Sequence, residues 1–366
     1  MIKMIDVSFN MNVGMSNPAE VIDSHKEGHG YARFIKEEVN TTIIEHMNFE
    51  GEYMDNGVQY HFFKGRNKFW YVPFKTNKFI RQSNPDIILV QGLIFPLQVI
   101  FLRLRVAKKC KILVQHHGEH PFKNWKRIFQ RIAVGLADGY LFTACGNAKE
   151  WMEQKIVRED KCYEVLEAST FFEKQNKQES RSKLGIARDD IFLWVGRLEK
   201  NKDPITILKG FEQYLRINAN ALLYMIYQED DLLAEVKSLV YNSDSLKRSV
   251  HLIGKIDHNA LPIWFSAADF YLSGSHVEGS GYALIEAMAC GCIPIVTDIP
   301  PFRKITGGHG FLFEPGNPDS LYNALTQSSV GSKAEKSKEI TEYFKSSLSF
   351  NNIADDIFRI CKKLTE

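Results

Sequence analysis

The chain has 366 residues, of which 44% are hydrophobic and 25% are charged. This composition is typical of globular proteins, and the length suits two domains. No run of about 18 apolar residues occurs, and the opening residues MIKMIDVSFNM lack the apolar core and cleavage site of a secretory signal. The sequence therefore argues against a membrane-spanning helix and against export, and it predicts a cytoplasmic protein.

The six cysteines are scattered along the chain, and the closest two are Cys290 and Cys292. One intervening residue is too short a spacing for a zinc knuckle. We interpret the cysteines as reduced thiols, and we expect no bound metal ion.

The first half of the chain alternates short apolar runs with amphipathic stretches. Helices are predicted to begin at about Tyr31 and Phe95. The runs that predict strands are KMIDVSF, TTIIEHM, DIILVQG, KILVQHH, YLFTAC and YEVLEA. Because these runs are apolar on both faces and are separated by helical patterns, they predict a doubly wound parallel sheet.

A glycine pattern at residues 28–31, GHGY, begins like a dinucleotide-binding fingerprint. It lacks the third glycine and does not directly follow a strand, so we interpret it as a turn. An NAD-dependent dehydrogenase is therefore disfavoured.

A strongly basic segment spans residues 61–135. It holds fifteen lysines and arginines against two acids, Asp86 and Glu119, whereas the whole chain has a net charge of only +2. Such a concentration of positive charge attracts phosphate, nucleic acid or an anionic membrane surface. No DNA- or RNA-binding motif accompanies the cations, so we expect no nucleic-acid partner.

Within that segment, PFKNWKRIFQRIAVGL predicts a basic amphipathic helix with cations beside Trp125, Ile128 and Ile132. Helices of this kind lie on anionic membranes. An ordinary surface helix that buries one apolar stripe is an equally good interpretation, and both remain open.

The strand pattern stops near Thr170, where the polar stretch FFEKQNKQESRSK predicts a linker. Alternation then resumes in the runs IFLWVGRL, ALLYMIY, SVHLIG, DFYLSGS, IPIVTD and GFLFEP. We therefore expect a Rossmann-like domain at 1–168, a linker at 169–186, a second Rossmann-like domain at 187–347 and a final helix at 348–366. Ligands of such α/β domains bind at the carboxyl ends of the strands.

A phosphate-binding loop is predicted where IFLWVGRLEKNKDPITILKGF passes from a strand through Gly196 into a helix. Asp203 suits the N-cap, and Pro204 suits the first helical position. Arg197 and Lys202 flank this helix N-terminus, which favours a diphosphate. Two solvated surface cations are an equally good interpretation of the spacing alone.

A second glycine-rich loop follows the run DFYLSGS. It carries Glu278, and a helix from about Tyr282 carries Glu286 in its second turn. A carboxylate can accept hydrogen bonds from two neighbouring hydroxyls, so both acids suit a sugar or ribose diol. As an isolated pair, however, a loop glutamate and a helix glutamate usually face water.

These residues carry a family resemblance. The segment EGSGYALIE resembles the E-x7-E signature of glycosyltransferase family 4, a family of retaining enzymes with the GT-B fold, and VGRLEKNKD resembles its donor-phosphate loop. The similarity extends over about 190–330, and YFKSSLSFNNIADDIFRICKKL resembles the family's final helix. The resemblance implies two Rossmann-like domains that face a central cleft, with the final helix crossing back to the N-terminal domain.

The resemblance also implies roles for single residues. Arg197 and Lys202 would hold the donor diphosphate, Glu286 the ribose hydroxyls and Glu278 the transferred sugar. The remaining donor-binding positions are Gly14, Gly196, Lys255, Ile256, Gly281, Tyr282 and Ala283. Lys255 and Ile256 would lie near the base. Gly14 stands alone in its loop, where many relatives have two glycines.

His117 matches the histidine that the family carries near the donor sugar, and we count it with Glu278, Arg197 and Lys202 as a catalytic residue. His116 and His120 are expected to be structural. Glu119 is the nearest carboxylate that could form a covalent intermediate, although we expect none.

The sequence thus predicts a retaining glycosyltransferase that moves a sugar from a UDP, GDP or ADP sugar to a saccharide or lipid-linked acceptor, in cell-surface glycan biosynthesis. No Asp-x-Asp triplet occurs, so no metal cofactor is expected. The location is cytoplasmic, with a peripheral position on the inner face of the membrane left open. The alternatives are a non-catalytic nucleotide-sugar-binding protein and a GT-B epimerase or phosphorylase.

Overall fold

A computed structural model describes residues 1–35, 37–65, 71–228 and 231–366. Arg66 and Lys68 of the basic segment lie outside the described residues. The chain forms two compact units. The first combines Met1–Ser169 with Phe350–Glu366, and the second is Thr170–Ser349.

The first unit is built on an eight-stranded sheet within the described residues. The strands are β1 Ile2–Met11, β2 Val39–Met47, β3 Gly51–Asp55, β4 Val58–Lys64, β5 Ile87–Gln91, β6 Lys111–Gln115, β7 Gly139–Phe142 and β8 Cys162–Glu164. Their order is β3-β4-β2-β1-β5-β6-β7-β8, and only β3 pairs antiparallel. The central strands are buried on both faces, as the apolar runs predict.

Helices accompany this sheet. They are α1 Pro18–Ser24, α2 Lys26–His29, α3 Phe74–Ser83, α4 Pro96–Arg103, α5 Lys126–Gly135 and α6 Lys149–Glu153. The predicted helix from about Tyr31 is wrong. The helical segment begins at Pro18, after the N-cap Asn17, and ends with a 3-10 helix at Gly30–Arg33. The side chain of Tyr31 is buried and donates a hydrogen bond to Asp6, so it does not start a new amphipathic helix.

The antiparallel edge of the sheet, β3 with β4, was not predicted. Asn56 and Gly57 connect the two strands, both with positive φ. Asn-Gly is a strong signal for a tight hairpin turn, but the short, largely exposed β3 lacks the apolar run by which the other strands were recognised.

Among its described residues, the second unit contains a six-stranded sheet in which all strands are parallel. Its strands are β9 Ile191–Gly196, β10 Leu222–Tyr227, β11 Val250–Gly254, β12 Phe270–Ser273, β13 Ile293–Thr297 and β14 Phe311–Phe313, in the order β11-β10-β9-β12-β13-β14. Its helices are α7 Lys177–Leu184, α8 Pro204–Tyr214, α9 Leu233–Asn242, α10 Asp244–Ser249, α11 Leu261–Ala267, α12 Tyr282–Ala289, α13 Pro300–Thr306, α14 Pro318–Ser328 and α15 Lys333–Tyr343.

The stretch predicted as a linker, 169–186, contains α7. Asn176 caps this helix through the backbone N–H groups of Gln178 and Glu179. Arg181 and Lys177 both bind the buried carboxylate of Asp269, the residue before β12. The polar composition of the segment therefore reflects an exposed helix that is anchored to the second unit by ion pairs.

The final helix, α16 Phe350–Thr365, belongs to the first unit. Its Phe350 ring stacks on Phe34 and fills the space beside Gly30, where an added Cβ would come within 2.4 Å of the ring. Cys361 contacts Met4 of β1. Among the described residues, no helix combines the length and the apolar character needed to cross a bilayer.

Candidate functional site

The predicted phosphate loop lies at the carboxyl end of β9. After Gly196, a 3-10 helix at Lys200–Lys202 leads into α8. Asp203 is the N-cap, as predicted, and its carboxylate accepts a hydrogen bond from Thr206 N–H at 3.0 Å. Arg197 is exposed, with Nη1 3.9 Å from Glu199. The positive end of the α8 dipole thus follows a loop that carries two cations, Arg197 and Lys202, which suits an anion.

A second loop, after β12, is tied to the first. The Asn201 side chain donates to the carbonyl of Val277 and accepts from its N–H group, both at 3.0 Å. His276 binds Asp203 through Nε2 at 3.0 Å. The backbones approach closely at Gly274, where a Cβ would lie 3.0 Å from the carbonyl oxygen of Asp203.

This tie brings two predicted site residues together. The Lys202 ammonium group contacts Oε1 of Glu278 in a short ion pair, and both side chains are largely buried. The residue predicted to bind the diphosphate, Lys202, and the residue predicted to bind the sugar, Glu278, are therefore neighbours. Asn201 was not singled out from the sequence, because an asparagine between lysines has no distinctive pattern.

The N-terminus of α12 is the third component. Gly281 has φ +66°, and a Cβ at that position would meet Ile305 at 2.9 Å. Tyr282 and Ala283 form the first turn of α12, as predicted, and Tyr282 is exposed. The positive φ thus favours glycine where the backbone turns into this helix, and the positive end of the α12 dipole suits an anion.

Glu286 is buried in the second turn of α12 and binds Nε2 of His258 at 2.7 Å. Lys255 and Ile256 follow β11, and after the N-cap Asp257 the chain forms a 3-10 helix that begins at His258. The Phe172 ring packs against it at 4.9 Å. The predicted base-binding loop is therefore connected to the predicted ribose ligand by a histidine that the sequence analysis missed.

In the first unit, His117 lies just after β6 and is held by several polar groups. Its Nδ1 contacts Glu167 at short range, and its Nε2 lies 2.7 Å from Oε1 of Gln91. Burial opposes the charged form of the ring, but the Glu167 carboxylate and its hydrogen bond outweigh that effect and raise the pKa of His117 to about 9. His117 is therefore a cation at neutral pH. Glu167 and Gln91 carry no sequence signal for this role.

Glu119 serves the backbone. Its two carboxylate oxygens accept hydrogen bonds from the N–H groups of Leu93, at 3.1 Å, and His117, at 2.7 Å. Gly92, with φ +100°, leaves room for this carboxylate. This carboxylate joins the loops that follow β5 and β6, and because both of its oxygens accept hydrogen bonds from the backbone, it is a poor nucleophile.

The remaining residues of this unit that the sequence analysis named are two histidines and a glycine. His116 is buried, with its Nε2 3.1 Å from the carbonyl of Glu119, and His120 pairs with Glu150 at the surface. Gly14 lies in the loop after β1 with φ +84° and open space around it.

A buried polar group lies beside β2 in the same unit. His25, between α1 and α2, and His29, at the end of α2, face Glu45 of β2. Burial lowers the pKa of both imidazoles to about 4 and raises the pKa of Glu45 to about 8. The expectation of no metal ion rested on the cysteines and on the lack of an Asp-x-Asp triplet. It overlooked the His-x3-His spacing of His25 and His29, which places two histidines on one side of a helical segment.

Residues 176–346, just under half of the chain, match the family model "Glycosyl transferases group 1". This range includes the loops after β9 and β12, the helix α12 and the residues after β11.

Three curated relatives are glycosyltransferases by name. An N-acetylgalactosamine-N,N'-diacetylbacillosaminyl-diphospho-undecaprenol 4-alpha-N-acetylgalactosaminyltransferase of Campylobacter jejuni is 27% identical over 55% of this chain and 54% of its own length. A GDP-mannose:cellobiosyl-diphosphopolyprenol alpha-mannosyltransferase of Xanthomonas oryzae is 30% identical over 32% and 31%. A UDP-Gal:alpha-D-GlcNAc-diphosphoundecaprenol alpha-1,3-galactosyltransferase of Escherichia coli is 28% identical over 42% and 40%. The chain thus spans about half or less of these relatives.

Solved structures share the fold over nearly the whole chain. The sucrose-phosphate synthase of Thermosynechococcus elongatus superposes with a TM-score of 0.71 at 16% identity, covering 99% of both chains. Anabaena HepE, in complex with UDP and glucose, gives 0.70 at 14% identity, covering 99% of this chain and 100% of its own. The GT-B fold predicted from the sequence, with two parallel-sheet α/β units, is confirmed.

Proposed function

We propose that this protein is a retaining glycosyltransferase of family 4, which transfers a sugar from a nucleoside-diphosphate sugar to a hydroxyl of a saccharide or lipid-linked acceptor. The observation that carries the proposal is the contact between Lys202 and Glu278 beside the N-termini of α8 and α12. The residue proposed to bind the phosphate and the residue proposed to bind the sugar are adjacent there, as binding of a nucleotide sugar requires. The names of the three curated relatives support the same reaction class.

Each group of the second unit has a proposed part in donor binding. Arg197, Lys202 and the N-terminal N–H groups of α12 bind the diphosphate. As the diphosphate attracts Lys202, the Glu278 carboxylate becomes available to hydroxyls of the transferred sugar. Glu286 accepts from the ribose hydroxyls in exchange for its hydrogen bond with His258, and the backbone at Lys255 and Ile256 contacts the base.

The transfer breaks the bond between the anomeric carbon and the diphosphate oxygen, whose electron pair leaves with the diphosphate. The acceptor oxygen forms its bond on the same face of the sugar, and its proton passes to the departing phosphate oxygen, so the configuration is retained. Arg197, Lys202 and the helix N-termini stabilise the developing negative charge. We propose that this charge stabilisation needs no divalent ion and that His117 acts as a fixed cation toward the donor sugar.

The proposed acceptor is lipid-linked, in the biosynthesis of a cell-surface glycan. The three curated relatives carry diphospho-undecaprenol or diphosphopolyprenol acceptors in their names. Helix α5 supports a peripheral position on the inner face of the membrane, because it exposes an apolar stripe next to cations. The stripe consists of Trp125, Ile128, Ile132 and Leu136.

A thermal-shift panel tests donor binding. We expect one of the UDP, GDP or ADP sugars to raise the melting temperature by several degrees, with or without EDTA, because a ligand at about 100 times its Kd stabilises the fold by about 2.7 kcal/mol. The Glu286→Ala variant is expected to lose this shift, whereas Glu235→Ala, at an exposed position of α9, should keep it.

Product analysis with the stabilising donor then separates the alternatives. Transfer to a lipid-linked acceptor with retained configuration supports the proposal. An altered donor sugar points to an epimerase, and a sugar phosphate points to a phosphorylase. Binding without turnover on any acceptor class points to a non-catalytic binding protein, and no shift with any nucleotide sugar contradicts the donor site itself.

A further inference from the structure

A cluster of two histidines and one glutamate in the first unit has no part in the function proposed above. His25 follows α1, His29 ends α2, and Glu45 lies on β2. The two histidines are four positions apart, so the helical segment presents both to the same strand.

The distances within the cluster fit a metal ion better than they fit hydrogen bonds. Oε1 of Glu45 lies 3.5 Å from Nδ1 of His25 and 3.5 Å from Nε2 of His29. These separations exceed the usual N–H···O range of about 2.7–3.2 Å. Two ligand atoms bound at about 2.0–2.1 Å to a tetrahedral zinc ion are about 3.4 Å apart. All three ligand atoms lie within 4.8 Å of one another.

The surroundings bury these groups and leave part of their hydrogen-bonding capacity unmet. The carboxylate of Glu45 and the ring of His29 are more than nine-tenths buried. Nδ1 of His25, the atom that faces Glu45, is buried and lacks a hydrogen-bond partner among the described residues. Lysines and arginines of the described chain make no ion pair with Glu45. A buried carboxyl group of this kind is stabilised by a cation.

The neighbours of the cluster orient it. The Asn12 amide donates to Oε2 of Glu45 at 3.0 Å and to the carbonyl of His46 at 3.1 Å, so the other carboxylate oxygen is left for the histidines. Such a contact behind a ligand fixes its direction. The adjacent His46 is engaged elsewhere, by the Ser8 carbonyl and Thr76.

From this geometry we propose that His25, His29 and Glu45 bind one divalent transition-metal ion, with zinc as the best fit. Two imidazole nitrogens and one carboxylate oxygen are ligands that zinc accepts, whereas magnesium and calcium prefer oxygen ligands. The side chain of His25 is 39% exposed, which gives the ion a route of entry. With three protein ligands, a fourth position stays open to water or to an oxygen atom of a bound ligand.

Zinc and cobalt titrations of the full chain, after treatment with a chelator, test this site. Calorimetry with ZnCl2 is expected to give one tight site per chain. Co2+ should give the visible absorption of a tetrahedral complex without the near-ultraviolet band of cobalt–thiolate bonds, which excludes the cysteines. Glu45→Gln and His25→Ala should each weaken zinc binding at least tenfold.

His120→Ala, at an exposed histidine, is the matched control and should bind zinc like the wild type. Circular dichroism of the metal-free variants keeps a folding defect distinct from loss of a ligand, and His25→Ala is the safer variant because that side chain is partly exposed. Unchanged zinc affinity in folded Glu45→Gln and His25→Ala, a thiolate band, or fewer than one tight zinc ion per wild-type chain would overturn the proposal. Donor-sugar binding in the second unit is read separately, by its thermal shift.

Discussion

His117 shows how one residue acquires its charge from neighbours that are distant in the sequence. Its ring contacts Glu167 and Gln91, and the backbone N–H group of His117 donates to Glu119. Burial is the largest single influence on the pKa of the ring and disfavours the imidazolium form, and without the Glu167 charge and hydrogen bond it is opposed only by Glu119 and Asp6.

The Glu167→Gln variant is therefore expected to lower the pKa of His117 from about 9 to below 7. The ring signals of His117 in an NMR titration measure this directly. Because the pKa of the folded state is raised above about 6.5, the stability that this charge contributes is fully present below pH 6.5 and is lost as the pH rises through 9. Glu119, Asp6 and His116 also face this ring.

Glu150→Gln, beside the exposed His120, is the control and should leave the titration of His117 unchanged. A midpoint that stays near 9 in Glu167→Gln would show that another group supplies the charge stabilisation.

Dependence on partners that are distant in the sequence also limits what the sequence reveals about the proposed donor site. The positions of Glu278 and Glu286 follow from a loop–helix pattern with fixed spacing, and Arg197 and Lys202 follow from a strand–loop–helix pattern. Their partners Asn201 and His258 do not, because these contacts join segments 76 and 28 residues apart and involve residue types that are common on any surface.

At the level of elements, burial decided what could be predicted. Strands buried on both faces, such as β5, β6 and β9, appear in the sequence as continuous apolar runs. The edge strand β3 and the helix α7 face water for most of their length, so hydrophobic pattern alone does not reveal them. The helical segment before β2 was misplaced because its start depends on the N-cap Asn17 rather than on an apolar period.

Helix α5 supports a prediction about membranes. It buries Gln130, Ala133 and Val134 against its own unit, yet it also exposes a second apolar stripe through Ile128 and Ile132. An ordinary surface helix needs only the first stripe. We expect the protein to sediment with vesicles that contain anionic lipid at low salt and to be released as salt is raised, because screening weakens the attraction of the flanking cations.

Ile128→Asp should abolish vesicle binding without changing the melting temperature, since the side chain is 62% exposed. Ile217→Ser, at an apolar residue of similar exposure in the second unit, is the matched control and should bind like the wild type. Failure of the wild type to bind anionic vesicles at low salt would contradict the membrane interpretation.

At the scale of the whole molecule, the last helix in the sequence completes the first unit. The apolar face of α16 is buried there through Ile353, Ile357 and Ile360, and Cys361 reaches Met4 on β1. The fold of the first unit therefore depends on residues that are synthesised after the whole of the second unit.

Ile357→Ala tests this dependence. The substitution removes a side chain that is 2% exposed and should destabilise the first unit by about 2–4 kcal/mol. Because two units need not unfold together, hydrogen–deuterium exchange is the suitable measurement. Exchange should accelerate in β1 and β2, whereas β9, β12 and β13 should keep the wild-type rates. Asp355→Ala, on the exposed side of the same helix, is the control and should leave the exchange rates of both units unchanged. Equal acceleration in both units after Ile357→Ala would show that α16 stabilises the molecule as one cooperative body.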